Sequence, residues 1–354
     1  MITDLRLRNF RSYRDASFEL SPSINIIVGP NASGKTNLLE AVLVLARGRS
    51  YRARDNELVR FKQPWARLDA NLAEGGQRVV KLVTEPTSDK TYEISGKPYK
   101  RLTLERSLPV VLFEPDHLRL LSGGPERRRD YLDDLLEQTT AGYGSLRRRY
   151  RRALAQRNRL LKQTTQPRPE QMFPWDLRLS ELAGQVIRTR TGLIDQLDIE
   201  ASRLYKALSH TKTKIKLAHQ SQWSAENYQS HMLKRLESDL ELDRLRGFTG
   251  IGPHREDLSV LFNDRPAQET ASRGEARTVV LALKITELQI IQASYNGQIP
   301  ILLLDDVFSE LDGARRHALT DYLAPYQTFI TTTDADLVLQ NFAAKRNVIA
   351  LGHL

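Results

Sequence analysis

The chain has 354 residues, of which 40% are hydrophobic and 27% are charged, a mixture typical of folded domains and not of disordered chains. It contains no cysteine, which excludes disulfide frameworks, thiolate zinc sites and cysteine nucleophiles. The 53 lysines and arginines outnumber the 43 aspartates and glutamates, so the formal net charge of +10 favours a polyanionic partner.

The start of the chain has neither a membrane anchor nor a leader pattern. Its longest apolar stretch, residues 41–46, is far shorter than the ~20 residues that a membrane-spanning helix needs. The first ten residues alternate polar and apolar side chains, as a strand does. We therefore expect a cytoplasmic protein without a membrane segment.

The predicted elements change character twice along the chain. Strands are predicted at 2–7, 16–20 and 24–28, a helix at 35–46, and a small antiparallel meander at 68–94. From Pro125 to about residue 245 the pattern is helical, and a loop at 163–174 with three prolines predicts an antiparallel helical hairpin. Strands at 258–262 and 301–304 then alternate with helices at 275–291 and 315–323.

This order predicts an α/β protein in which the strand-rich chain ends fold together around a helical insertion. The predicted domains are residues 1–125, residues 126–246 and residues 247–354.

A phosphate-binding loop is the clearest motif. The pattern G-x-x-x-x-G-K-T lies between the apolar strand at 24–28 and the helix that follows, as its mechanism requires. Lys35 would reach the β- and γ-phosphates of a nucleotide, and the Thr36 hydroxyl would bind Mg²⁺. The loop comprises Gly29, Pro30, Asn31, Ala32, Ser33, Gly34, Lys35 and Thr36.

Two acids end the apolar strand at 301–304, which we expect to neighbour the strand of the phosphate loop. Asp305 would hold Mg²⁺, and Asp306 could orient or deprotonate the attacking water. The alternative is that the two acids only cap the next helix. A GTPase is disfavoured, because no Asn-Lys-x-Asp motif occurs.

Ser272 and Glu275 form a predicted capping box at the start of the helix at 275–291. The same helix start, with Ser272 and Gly274, could also bind an anion. The two interpretations are compatible.

These motifs together resemble the head domain of ABC ATPases, and more narrowly the RecF family of bacterial recombination and repair ATPases. The resemblance covers essentially residues 1–350. Its most specific segments are LLSGGPERRRDYLD at 120–133 and LLDDVFSELD at 303–312, and RNFRSY at 8–13 and GPHRED at 252–257 are also similar to family segments.

The resemblance implies an ABC-type P-loop ATPase head formed by the two chain ends, with a small β meander and an inserted helical lobe. ATP would be held between two copies, so that Ser272 and Gly274 of one copy touch the γ-phosphate bound by Lys35 of the other. Ser309 and Asp312 would lie at the same seam, and Arg11 and Asn37 would complete the ATP contacts. The implied partners are double-stranded DNA at junctions with single strands, and RecR, with which the protein would help to load RecA at gaps.

Three features depart from the general ABC pattern. Asp306 stands where many ABC enzymes have glutamate, so we expect slow hydrolysis. Thr331, Thr332 and Thr333 stand where a switch histidine is often found. No Q-loop glutamine is evident, and the segment Phe113-Glu114-Pro115 occupies its place.

A run of basic residues at 147–162 predicts contacts to DNA phosphates without sequence reading. The alternative is a solvated helix whose arginines pair with acids such as Asp133, Asp134 and Glu137. The predicted DNA-binding residues are Arg147, Arg148, Arg149, Arg151 and Arg152. A second basic cluster, at 47–54, would suit the same role.

Two other functions fit parts of the pattern. The ATPase subunit of a membrane transporter would bind nucleotide without DNA, and the arginine-rich insertion argues against it. A non-catalytic DNA clamp of SMC type would need a longer coiled coil than residues 126–246 allow. His254 is expected to make a local hydrogen bond and not to bind metal.

Overall fold

The computed structural model describes residues 1–163, 168–209, 211, 213–334, 338–340 and 346–352. The chain divides into two compact units, one formed by Met1–Leu118 with Glu287–Leu354 and the other by Arg119–Thr286. This division differs from the predicted domain boundaries at 125/126 and 246/247. Residues 247–286 lie with the second unit, where the strand at 257–262 pairs with a strand of the insertion.

The described helices and strands follow in chain order. They are β1 (Ile2–Phe10), β2 (Tyr13–Glu19), β3 (Ile24–Val28), α1 (Lys35–Arg47), α2 (Asp55–Leu58), β4 (Trp65–Leu72), β5 (Gly76–Val83), β6 (Asp89–Ile94), β7 (Lys97–Tyr99), β8 (Val110–Phe113), α3 (Pro125–Thr139), α4 (Tyr143–Leu161), α5 (Pro169–Ser209), β9 (Ile215–Gln220), α6 (Tyr228–Ser238), α7 (Leu240–Arg246), β10 (Asp257–Phe262), β11 (Arg265–Pro266), α8 (Ala267–Thr270), α9 (Arg273–Ser294), β12 (Ile301–Leu304), α10 (Val307–Glu310), α11 (Gly313–Leu323), β13 (Thr328–Thr332) and β14 (Arg346–Ala350). Short 3₁₀ turns lie at Leu104–Arg106 and Pro115–Arg119.

The first unit contains a five-stranded sheet in the order β14-β3-β13-β12-β8, in which every pair is parallel. Parallel strands end at the same edge, so the loops after β3, β8, β12 and β13 meet there. The expectation that the strand of Asp305 neighbours the strand of the phosphate loop is wrong, because β13 lies between β12 and β3. The intervening strand brings its own side chains to the site.

The same unit contains a six-stranded antiparallel sheet in the order β2-β1-β4-β5-β6-β7. The meander predicted at 68–94 is confirmed as β4 to β6, and β1 and β2 extend it at one side. The backbone N–H of Ile2 donates to the side-chain oxygen of Gln327 at 2.8 Å, and the Gln327 amide donates to the Ile2 carbonyl at 2.6 Å. Residues 325 positions apart are thus joined, and the two chain ends share one unit, as predicted.

Helix α1 connects the phosphate loop to the core of this unit. The five apolar residues predicted for its buried face are all at most 5% exposed: Leu38, Leu39, Val42, Leu43 and Leu45. Gly48 ends the helix in the left-handed conformation, where its N–H bonds the Val44 carbonyl.

The second unit is built on α4 and α5, which run antiparallel. Arg157 pairs with Asp176, and Tyr150, seven residues earlier, packs in one core cluster with Leu182, six residues beyond Asp176. The predicted hairpin is therefore present, although its loop is shorter than expected: residues 164–167 lie outside the described residues, α5 begins at Pro169, and Pro174 lies inside it.

The insertion is mostly helical, as predicted, and it contains one strand that the sequence analysis did not predict. Residues Ile215–Gln220 form β9, because Ile215 and Leu217 alternate with polar residues and bury one face of the strand. β9 and β11 flank β10 in a three-stranded antiparallel sheet. Among the described helices, not one combines the length and apolar character needed to cross a bilayer.

Candidate nucleotide site and basic helix

The phosphate loop follows β3 and has the backbone that its glycines permit. Gly34 has φ 93° and Ala32 has φ 66°, both in the left-handed region. A side chain at Gly29 would meet the Leu351 carbonyl at 2.5 Å and the Ser33 hydroxyl at 2.6 Å, so only glycine fits there. The hydroxyl of Ser33 is buried and has no hydrogen-bond partner among the described residues. The loop therefore contains one buried hydroxyl group, that of Ser33, which has no acceptor among the described residues.

Lys35 lies in this loop with its ammonium group folded over it. The group donates to the carbonyls of Gly29 and Pro30 at 2.9 and 3.0 Å. The Tyr13 hydroxyl donates to the Gly34 carbonyl at 3.0 Å and ties β2 to the loop. A cation and a helix N-terminus thus lie together where a phosphate would bind.

Asp305 is buried at the end of β12 and accepts three hydroxyl hydrogen bonds. Its Oδ1 accepts from Thr36 at 3.0 Å and from Thr331 at 2.9 Å, and its Oδ2 accepts from Tyr51 at 3.0 Å. Within the described ranges, no lysine or arginine lies within ion-pair distance of it. The two residues predicted to hold Mg²⁺, Thr36 and Asp305, are therefore in direct contact although 269 positions apart.

Asp306 precedes α10 in a left-handed backbone conformation, with φ 51°. Burial and the neighbouring charge of Asp305 raise its pKa above the ordinary range. Its backbone N–H donates to the Thr331 hydroxyl at 2.8 Å, so this threonine bridges the two acids. Neither acid caps α10 through its side chain, contrary to the alternative drawn from the sequence.

Sequence reasoning missed Tyr51 and left Glu114 without a role. Tyr51 lies in the loop after α1 and reaches Asp305 across the site. Burial, and next the charge of Asp305, raise the pKa of Tyr51, and the charge of Glu114 adds to this. An aromatic residue in an arginine-rich loop carries no pattern that points to a distant carboxylate.

Arg11 and Asn37 contact a network around a buried acid that was also missed. Arg11 donates two hydrogen bonds to Glu40, at 2.7 and 2.9 Å, and Arg52 donates to both Glu40 and Asn37. Although burial acts to raise the pKa of Glu40, the hydrogen bonds from Arg11, Arg52 and Ser50 outweigh it and hold that pKa below its usual range. Arg52, one arginine of the cluster at 47–54, is therefore part of this network, and the DNA role of the cluster stays a prediction.

Of the residues predicted for the ATP seam, Ser272, Ser309 and Asp312 are exposed and Gly274 is half-buried. Ser272 forms the predicted capping box with Glu275, whose N–H donates to the serine hydroxyl at 3.2 Å; Gly274 follows in the first turn of α9. These two residues belong to the second compact unit, whereas Ser309 and Asp312 belong to the first. The Ser309 hydroxyl donates to the Asp306 carbonyl at 2.7 Å, and Asp312 caps α11.

The basic run on α4 separates into two sets. Arg147 is 10% exposed at its side chain and pairs with Asp130, Asp133, Asp134 and Glu137, so the prediction that it binds DNA is corrected. The pairing alternative holds for this residue. Arg157 is fully buried between Asp176 and Asp243. The other predicted residues, Arg148, Arg149, Arg151 and Arg152, are exposed on α4.

His254 makes the local hydrogen bonds expected of it. Its Nδ1 lies 2.6 Å from the Tyr150 hydroxyl and its Nε2 lies 3.2 Å from the Thr249 carbonyl. Burial lowers the pKa of His254 to about 4. The imidazole is therefore neutral near pH 7 and holds the 252–257 segment against α4.

The chain matches the family described as RecF/RecN/SMC N terminal domain over residues 1–349. It is 35% identical to the DNA replication and repair protein RecF of Heliobacterium modesticaldum, over 94% of this chain and 92% of that one. The chain belongs to the RecF family. The RecF protein of Symbiobacterium thermophilum is 37% identical, over 97% of this chain and 94% of that one.

Solved structures extend the RecF match to three dimensions. A structure of the recombination mediator protein RecF with ATPrS, in the RecFOR pathway, has a TM-score of 0.87 at 29% identity, over 95% of this chain and 93% of that one. An Smc head bound to the winged-helix domain of ScpA has a TM-score of 0.52 at 16% identity and shares the head fold alone. The predicted α/β ATPase-head fold is confirmed, and the family is one of DNA repair and recombination.

Proposed function

We propose that this protein is a DNA-binding ATPase of recombinational repair, located in the cytoplasm, which ATP converts into a dimer on DNA. The observation that carries the proposal is the meeting of the phosphate loop with two acids at one sheet edge, where the Thr36 hydroxyl lies 3.0 Å from Asp305. The RecF structures containing ATP and ATPrS support the choice of nucleotide.

The residues present suit a magnesium nucleotide. A threonine hydroxyl and a carboxylate are the hard oxygen ligands that Mg²⁺ prefers, and Mg²⁺ commonly takes its remaining ligands from water and phosphate. This fits the described residues, which contain no cluster of three acids or histidines that could hold a metal alone. When bound, the ion would neutralise charge on the β- and γ-phosphates.

The chain's own groups would perform the remaining steps. Lys35 would leave the carbonyls of Gly29 and Pro30 for the phosphates, and the unused Ser33 hydroxyl would donate there. Asp306, whose pKa is raised, would accept the proton of the attacking water. Ser272, Gly274, Ser309 and Asp312 would complete the site from a second copy, so that ATP stabilises the dimer.

The DNA and protein partners belong to the same proposal. The exposed arginines of α4 would contact duplex phosphates without reading sequence. In the RecFOR pathway named for the RecF structures, the protein would act with RecR to load RecA where single strand meets duplex, and so support replication restart.

Lys35→Ala tests the nucleotide site. We expect it to lower ATP affinity at least 100-fold, because the loop loses its only side-chain cation, and to abolish the ATP-induced dimer. Titration calorimetry and the mass of the complex measure the two effects. Lys97→Ala, which removes an exposed lysine on β7, is the control and should bind ATP normally. ATP binding by Lys35→Ala at the wild-type level would refute the proposal.

A further inference from the structure

Tyr51 contacts the acid at the centre of the site from a loop 254 positions away in sequence. Its hydroxyl donates to Oδ2 of Asp305 at 3.0 Å. The other oxygen, Oδ1, accepts from Thr36 and Thr331. The three donors thus fix both oxygens, and Tyr51 alone among the described residues donates a hydrogen bond to Oδ2.

The Tyr51 hydroxyl acts as a donor toward Asp305. A phenol group has one O–H to donate, and the structure directs it at Oδ2 of Asp305. The carboxylate oxygen is the acceptor of this hydrogen bond.

The ring is also held in place from behind. The Arg52 guanidinium lies over the Tyr51 ring, 5.7 Å from its centroid. Arg52 in turn donates to Asn37 and to the buried Glu40. The ring itself packs against the main hydrophobic core of the unit. A hydrogen-bond donor on a fixed ring imposes a direction on its acceptor, which a mobile donor would not.

We propose that Tyr51 is a positioning residue, which holds Oδ2 of Asp305 so that Oδ1 faces Thr36 and the magnesium ion of the nucleotide. The inference rests on the proposed function, since it assigns Tyr51 a part in the same site. Groups that hydrogen-bond to metal-ligating carboxylates commonly change metal affinity 10–100-fold when they are removed.

The alternative is that the Tyr51 hydroxyl only satisfies a buried carboxylate. The two roles differ in one measurable quantity, the ratio of the ATP dissociation constant in EDTA to that in saturating Mg²⁺. If Tyr51 positions Asp305, removing its hydroxyl weakens ATP binding more in Mg²⁺ than in EDTA, and the ratio falls. A merely structural role weakens ATP binding equally in both conditions, and the ratio stays constant.

Tyr51→Phe separates the two roles. We expect the ratio to fall on the order of 10-fold or more, with ATP affinity in EDTA unchanged, because the ring remains and only the hydroxyl is removed. Calorimetric titration of the whole protein with ATP measures both constants. Tyr51→His retains a ring N–H donor, so the ratio should fall less in this variant than in Tyr51→Phe. It also provides the test if the phenylalanine variant does not fold.

Tyr92→Phe is the matched control. Its hydroxyl donates to the Gly48 carbonyl at 3.1 Å, at the start of the same loop, and it is likewise buried. We expect this variant to keep the wild-type ratio, since it does not touch Asp305. A wild-type ratio in Tyr51→Phe, or an equal fall in Tyr92→Phe, would overturn the inference and leave the proposed function standing. A wild-type protein whose ATP affinity is independent of Mg²⁺ would overturn both.

Discussion

Asp305 and Asp306 are neighbours in sequence, yet the structure gives them different surroundings. Asp305 accepts hydrogen bonds from three hydroxyl groups, two on Oδ1 and one on Oδ2. Asp306 lies where burial and the charge of Asp305 raise its pKa. Under the proposed function these two environments would serve different tasks, metal binding for Asp305 and proton transfer for Asp306.

Asp306→Asn should separate ATP binding from hydrolysis. We expect normal ATP affinity with hydrolysis slowed roughly 10²–10⁴-fold, the usual contribution of a general base. Wild-type hydrolysis should decline as pH falls through the raised pKa of Asp306, since a base must be deprotonated. This decline should begin at higher pH than an ordinary aspartate would give. Single-turnover rates across pH measure both effects.

Asp321→Asn, which changes an exposed acid on α11, is the control for this experiment and should behave as wild type. If Asp306→Asn hydrolysed ATP at the wild-type rate with the wild-type pH profile, Asp306 would not be the base.

The arginines of helix α4 divide into a buried, paired set and an exposed set. Arg147 and Arg157 are turned toward acids of the second unit, at 2.7 Å from Asp130 and 2.6 Å from Asp243. Arg148, Arg149 and Arg152 are exposed, and among the described residues they have no ion-pair partner. The helical period of 3.6 residues makes this division, since neighbours in sequence point in different directions. Under the proposed function, the exposed set would contact DNA.

Reversing Arg148, Arg149 and Arg152 to glutamate should weaken duplex binding. The slope of log affinity against log salt should also become shallower, by about 0.9 for each DNA phosphate that the protein no longer neutralises. Fluorescence anisotropy with one duplex at several salt concentrations gives both values. The control reverses Arg178, Arg188 and Arg203, three exposed arginines on α5, with the same change in net charge. Equal effects in both variants would mean that overall charge, and not α4, drives binding.

The residues predicted to bind ATP are divided between the two compact units. Lys35, Thr36 and Asp305 belong to the first unit, and Ser272 with Gly274 belongs to the second. Under the proposed function, the helix start at Ser272 meets the nucleotide of another copy. The dimer would then bind ATP more tightly than the monomer does. ATP would therefore stabilise the dimer by mass action.

Ser272→Arg tests this arrangement. We expect the monomer to bind ATP but to form no ATP-induced dimer, because a long cation replaces a small hydroxyl at the seam. Sedimentation with and without ATP measures the mass. Ser294→Arg, at the other exposed end of α9, is the matched control and should dimerise normally. ATP-dependent dimers of Ser272→Arg would remove the serine from the seam.

Much of the fold follows from local patterns. The apolar runs predict the strands at 24–28 and 301–304 at their observed limits, and the P-loop predicts α1 within one residue. These limits are predictable because the residues that begin and end each segment are neighbours in sequence. The strand at 215–220 escapes prediction because six alternating residues beside long helices give a weak signal. Pro169 and Pro174 suggest a loop in the sequence, but Pro169 takes the first position of α5, where its missing N–H costs no hydrogen bond, and Pro174 lies inside the helix.

The phosphate loop and the two acids can be identified from residue types alone, since both depend on a fixed short spacing. Tertiary structure decided which side chains surround them. Glu40 lies on α1, Tyr51 lies in the loop after α1 and Thr331 lies on β13, and acids on α3 pair with Arg147 and bury it. Such contacts depend on how distant segments pack around a buried charge, and a carboxylate can find hydroxyl or guanidinium partners almost anywhere along a chain.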